Sequence, residues 1–505
     1  MGTLYWWFTT GDLLVNVYIM SKISILHISD LHKPEGLNYE TLLDSLCDDR
    51  ERWRQEGIVP PSYIVISGDL IQGAYTDDDI QTQYNEVSKF LDKLVGEFLN
   101  GDKMRLIMVP GNHDMNRACS SGAMKELVSP TTEELDILKN AYWRPENMVR
   151  FDWKTMHFFK VDDFAQYQHR FDLYKHFYDN FYGGARTFPD DSVKEAFLYK
   201  FSKDYIAFAG FNSCNLLDDK NHSGDIDEEA ITSISSVLRN CKNDGYLIIG
   251  VWHHHYYGNP YSLNYMSRDI FLPMAEKGMR IGLFGHQHIS EVTDEYVSPI
   301  YSEEEQRKEN TLLLISSGTL FGGEKHLQPG FRRQYNIIEL ERQGLQSRIE
   351  VSINIREDNS KNVNNKIPYW LGRSIAFSSD NKIHRQVYVK ELSRDSVLLQ
   401  ISKDLSKYRD YEDTCRKLVD IGLDDHIVRE MFDNYLLGTS NKFIIDMLLN
   451  IDITPNETLL LLEAVQKEHN VEAAMKLHTN KTISNYAMKD SLIKDLYEKV
   501  CSIIS

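Results

Sequence analysis

Five short stretches of this sequence could hold a cation or move a proton, and each closes an apolar run. "ISILHIS" runs into Asp30-Leu31-His32, "YIVIS" into Gly68-Asp69, and "RLIMV" into Pro-Gly-Asn112-His113-Asp114. "YLIIGVW" runs into His253-His254-His255, and "RIGLFG" into His286-Gln287-His288. Imidazole, carboxylate and amide oxygen together suit Zn²⁺, Mn²⁺, Fe or Ni²⁺ rather than Ca²⁺ or a thiolate-bound ion. In an extended chain the residues flanking Leu31 face one side, so Asp30 and His32 can share an ion, and His286 and His288 repeat the spacing. Two divalent ions against Asp30 and Asp69 leave about two positive charges, enough to dock a phosphate ester locally.

The elements that must position these groups alternate. Strands at 23–29, 63–67 and 105–109 are separated by helical spacing over 38–56 and 78–99, the second opened by Asp77, Asp78 and Asp79 as suits a helix N-terminus. This pattern predicts a largely parallel sheet sandwiched by helices, and chemistry in such sheets gathers at the carboxyl ends of the strands. Five strands of one sheet would thus each deliver Asp, Asn or His to one edge. Residues 115–200, rich in Tyr, Phe and His, read as a helical insertion. Alternation resumes at 205–213, a helix follows at 227–241, and strands continue to about Ile355. The polar run "REDNSKNVNNKIP" opens a linker or β-containing extension over 356–403, and 404–505 has helical periodicity.

The bulk numbers narrow the function. At 505 residues the chain divides into two or three domains. A net charge of −19 argues against a broad grip on nucleic acid, which needs a basic face. Six scattered cysteines without a CxxC pair suit free thiols in a reducing cytoplasm. Residues 1–22 form an N-terminal extension. Its first nineteen residues are aromatic, lack Lys and Arg and contain Asp12, which fits neither a signal peptide nor a membrane span, and Met20 offers a later start. No membrane partner is expected.

In this order and at these intervals the five stretches resemble the calcineurin-like metallophosphoesterase superfamily, over roughly residues 23–345. The resemblance implies a four-layer α/β/β/α sandwich with a dinuclear metal site, Mn²⁺ first among the candidate ions, within a domain of residues 23–355. By motif, Asp30, His32 and His288 would hold one ion and Asn112, His253 and His286 the other, with Asp69 bridging. Asn112 and His113 would bind the phosphate, and His113 would protonate the leaving group. His253 is taken from the triple histidine because it leaves the strand first, although His254 and His255 remain alternatives. The segment "GDLIQGAY" lacks the Val-Asp-Arg-Gly continuation of the Ser/Thr phosphatases. "FNSCNLLDDKNHSGDI" followed by a helix and "GVWHHH" is more similar to bacterial class III cyclic-nucleotide phosphodiesterases. A phosphodiesterase acting on nucleotides is the expectation. The alternatives are a nuclease, or a phosphoesterase effector recruited by a helical adaptor at 404–505 that binds a protein partner.

Overall fold

The computed structural model describes residues 22–33, 38–128, 131–141, 148–152, 154–189, 195–258, 264–296, 311–323, 327, 329–342, 344–360 and 367–504. The expected dispensable extension, residues 1–19, lies outside the described residues.

The chain divides into two compact units, one of residues 22–341 with 347–391 and one of 342–346 with 392–504. In the first, strands β1 (Ile23–Ile28), β2 (Tyr63–Ile66) and β3 (Leu106–Met108) pair in parallel, and β13 (Gln334–Arg342) joins β1 antiparallel. Beyond β13 the sheet continues through β14 (Arg348–Asp358) to β15 (Trp370–Gly372) and β16 (Ile383–Tyr388), both antiparallel to β14. Strand pairing therefore runs on past Ile355. Arg356 ends buried, bonded to both oxygens of Asp49.

A second sheet runs β11 (Val292–Tyr296), β12 (Thr311–Ser316), β10 (Met279–Phe284), β9 (Leu247–Val251), β8 (Ile206–Phe211) and β7 (Ala196–Phe201). The chemistry-bearing strands thus belong to two sheets, not one: β1, β2 and β3 to the first, β9 and β10 to the second. Strands covered on both faces read alike wherever they pair, so apolar runs cannot assign them to a sheet. One apolar core spans both sheets, with Ile64, Tyr63 and Leu106 of the first clustered with Phe208, Ile249 and Leu283 of the second. The Tyr63 and Phe208 rings lie 5.3 Å apart.

Helices cover the outer faces. Helix α1 (Tyr39–Gln55) is capped by Asn38, whose side chain accepts from Glu40 N at 2.7 Å, and it ends on Arg52 and Arg54. Helix α2 (Asp77–Leu99) starts at Thr76 with three aspartates in its first turn and stops at left-handed Asn100. Its buried stripe includes Ile80, Tyr84, Val87, Leu91, Leu94, Val95 and Phe98. The stretch 115–200 is mixed rather than wholly helical. Strands β4 (Met124–Glu126), β5 (Val149–Asp152) and β6 (His157–Val161) make a small antiparallel sheet beside short helices such as α3 (Arg117–Gly122). Strands of three to five residues are too short to leave a clear alternation.

The second unit is built of helices from Arg394–Tyr408 to Ser491–Cys501, its first helix capped by Ser393 and thus starting before residue 404. Leu418, Val428, Phe432, Leu461, Val465 and Leu477 are buried in it. Asp420 is poorly placed there: neither carboxylate oxygen finds a hydrogen-bond donor, and burial with Asp413 beside it pushes its pKa up to about 8. An acid whose folded pKa is raised loses stability as pH climbs from its unfolded value, near 4, toward 8. Asp420→Asn is therefore expected to stabilise this unit by on the order of 3 kcal/mol at pH 8. The gain should shrink toward zero near pH 4, as read from melting curves; a gain independent of pH would contradict this.

Among the described residues no helix is long and apolar enough to cross a membrane.

Candidate metal centre

Three of the five strand ends, those of β1, β2 and β10, place their polar residues through an unusual backbone. Asp30, His32, Asp69, His286 and His288 all have positive φ, between 31° and 75°. Asp30 and His32 do reach the same side while Leu31 is buried, but through left-handed backbone rather than the extended chain expected. Gly68 and Gly111 allow the close approach: a Cβ on Gly68 would collide with the His253 ring, and one on Gly111 with Asp69.

The resulting cluster sits at the seam of the two sheets. Asp30 Oδ1 lies 3.1 Å from His288 Nε2 and 3.4 Å from His32 Nε2. Asp69 Oδ2 lies 3.2 Å from His32 Nε2 and 3.3 Å from His253 Nε2. Asn112 Oδ1 lies 3.0 Å from His253 Nε2 and 2.9 Å from His286 Nδ1. Backbone carbonyls fix the rings. His253 bonds Ser67 O through Nδ1 (2.8 Å), which turns Nε2 inward. His286 bonds Asn264 O through Nε2 (2.8 Å), which leaves Nδ1 facing Asn112.

Of the three adjacent histidines, His253 offers a ring nitrogen to the ligand groups, His254 packs its ring 4.5 Å from that of His286, and His255 turns away. His254 Nδ1 meets Ser213 Oγ at 3.0 Å, and His255 Nδ1 accepts from Tyr257 N at 3.2 Å. His113 stands beside the cluster, its ring edge-on to His32 at 4.4 Å, its amide donating to Asp69 Oδ1 (2.7 Å) and its Nδ1 bonded to Gln72 O (2.7 Å). Asp114 holds the loop: Oδ2 accepts from Gly111 N (2.8 Å) and Leu70 N (3.2 Å), and Oδ1 from the Tyr84 hydroxyl (3.1 Å).

The donor set fits two cations. Ligand atoms fall into three overlapping groups, Asp30 with His32 and His288, His32 with Asp69 and His113, and Asp69 with His253 and His286, each within 4.8 Å. Two atoms bound to one ion at about 2.1 Å stand about 3 Å apart, close to the separations found here. Charge points the same way. Burial opposes ionisation of Asp69, but His253, His113 and His32 outweigh it and hold the carboxyl well below its usual range. Asp30 is held low in the same manner by His288, His32 and His253. Against the pull of burial, Asp69 and Asp30 raise His32 to about 10, and Asp69 raises His253 to about 9. Protons on these two rings stand where divalent charge would otherwise balance the carboxylates, and bound metal displaces such protons. Burial lowers His113 to about 4, with Asp69 opposing.

Comparison with known protein families matches residues 23–290, just over half of the chain, to the calcineurin-like phosphoesterases. The chain belongs to the calcineurin-like phosphoesterase family. It is therefore a hydrolase of phosphoesters, and its clustered ligands are those of a metal-dependent one. Two solved structures are similar at low levels. A dimetal phosphatase from Danio rerio is 11% identical, covers 65% of this chain and 95% of its own, and has a TM-score of 0.32. The calcineurin-like phosphoesterase YfkN from Bacillus subtilis is 13% identical, covers 77% of this chain and 99% of its own, and has a TM-score of 0.28. No curated protein matches the chain.

This phosphoesterase also uses groups that its motifs do not announce. The carbonyls of Ser67, Gln72 and Asn264 orient His253, His113 and His286, and a main-chain oxygen leaves no residue-type signal. Ser213 lies 3.1 Å from the amides of both His253 and His254. Its place after strand β8, at the same edge as the histidines, is the one hint the sequence offers.

Proposed function

We propose that this phosphoesterase is a two-metal phosphodiesterase acting on nucleotides or related phosphodiesters. The observation that carries the two-metal part of the reading is the position of Asp69, which belongs to two donor groups, one with His32 and His113 and one with His253 and His286. Asp30, His32 and His288 would hold one ion, Asn112, His253 and His286 the other, and Asp69 would touch both; Mn²⁺ suits this N/O set. Bound there, the ions supply Lewis-acid charge and lower the pKa of a water for in-line attack.

The chain's own groups do the rest. Asn112 contributes an oxygen without charge, so the pocket keeps the positive surplus that draws in a phosphate. His113, pinned through Nδ1 by Gln72 O, offers Nε2 to the leaving oxygen. An anionic phosphate beside the ring raises its pKa from the low value that burial imposes, which readies it as the acid. Asp114 fixes the loop that aims both residues.

The nuclease alternative is weaker. Arg332 and Arg333, the basic pair nearest the site in sequence, are engaged internally, Arg332 with Asp358 O and Arg333 with Gly322 O. Residues 404–505 are proposed as a recruiting module for a protein partner, with Ile427, Leu437 and Met488 among its exposed apolar side chains. All six cysteines are free, which supports a cytoplasmic setting.

A panel with Mn²⁺ tests the reading. Bis-p-nitrophenyl phosphate and cyclic nucleotides should be hydrolysed faster than p-nitrophenyl phosphate, and single-stranded DNA left uncut. Preference for the monoester would overturn it.

A further inference from the structure

We propose that Tyr257 is a stacking platform for the base of a nucleotide whose phosphate lies in the metal centre, an inference that rests on the phosphodiesterase reading above. Tyr257 follows the strand-end His253 by four residues and is 45% exposed, unusual for a ring held so firmly. Its amide donates to Nδ1 of buried His255 (3.2 Å), and its ring stands edge-on to that imidazole at 4.1 Å. Its hydroxyl donates to Glu291, three residues beyond His288. Tyr256 braces it from the side at 5.3 Å and is itself packed on Phe271 and Phe284.

The ring therefore ties together the two loops that bring His253, His286 and His288 to the cluster. Gly258 presses the same point: a Cβ there would come within 2.8 Å of Nε2 of Gln287, the residue between the two cluster histidines. A surface tyrosine kept only for solubility needs neither bond. One with its edge and hydroxyl fixed, and nearly half of it exposed, loses almost no freedom when a flat ligand covers it, so the stacking energy is kept as affinity. Stacking a base on an aromatic side chain contributes about 1–3 kcal/mol, a preference of about 5- to 140-fold. The ring reads no base edge, so the preference should be for bases in general, not for one of them.

The test compares two diesters with the same leaving group, methyl p-nitrophenyl phosphate and the p-nitrophenyl ester of thymidine 5′-phosphate, on the full-length protein with Mn²⁺. Wild type should favour the nucleoside ester in kcat/KM by about tenfold. Tyr257→Leu should bring that ratio close to one, Tyr257→Trp should keep it, and Tyr257→Phe, which keeps the ring but not its tie to Glu291, should keep part of it. Quenching of a 2-aminopurine nucleotide on binding should be lost with Leu and retained with Trp, a readout independent of turnover. Thymidine 5′-phosphate and oligothymidylate as competitors separate a small nucleotide from a nucleic-acid strand; Tyr257-dependent inhibition by either supports the platform, and by neither overturns it. A wild-type ratio near one, or a ratio that survives Tyr257→Leu, removes the platform and leaves the phosphodiesterase intact. Failure to hydrolyse either ester removes the phosphodiesterase reading and the platform with it.

Discussion

Asp69→Asn is expected to lower turnover by about a thousandfold or more and to strip most of the metal while the fold survives. The carboxylate sits between His32 and His253 and accepts the His113 amide, so it links both halves of the cluster. Asparagine keeps an oxygen for that amide and tolerates the left-handed φ of 55°, which protects the backbone. It removes the charge, however, and a neutral amide shared between two cations cannot offset their repulsion. Metal content per chain, rate and melting temperature, measured together, separate loss of the site from loss of the fold. Two bound metals with wild-type turnover would sink the assignment of Asp69.

His113→Ala should fail in another way. Metals should stay bound, because Asp69 and Asp30 remain to hold them. Loss of a positioned proton donor costs about 10²- to 10⁴-fold when the leaving group is a poor one, such as a nucleoside hydroxyl. With p-nitrophenolate, which leaves unprotonated, the loss should be about tenfold or less. Equal losses for both kinds of ester would reduce His113 to a phosphate-positioning residue.

Much of this could be read from residue order, for physical reasons. A buried parallel strand needs an apolar run, and a polar residue closing one has few uses in a core. Asp30, Asp69, Asn112, His253 and His286 therefore stood out, and the structure gathers them. What stayed hidden is what apolar runs do not encode. Strands β1 and β9 have the same character, although they lie in different sheets whose seam makes the cluster. The strand His157–Val161 is too short and too aromatic to declare itself, and β14 carries its pairing into residues whose polarity suggested a boundary. Asp30-x-His32 takes left-handed backbone in place of the expected extended chain, since Asp, Asn and His enter that region more readily than other side chains.

That last feature has a bearing on how the protein would evolve under heat. Five residues at the centre hold a conformation that costs an L-residue about 1–2 kcal/mol and glycine almost nothing. Glycine at position 30, 32, 69, 286 or 288 would relax the backbone but strip a buried donor from its partners, Asp30 from His288 and Asp69 from the His113 amide among them. The strain therefore cannot be relieved one residue at a time without leaving a buried charge unpaired, and stabilising changes are expected away from these five positions.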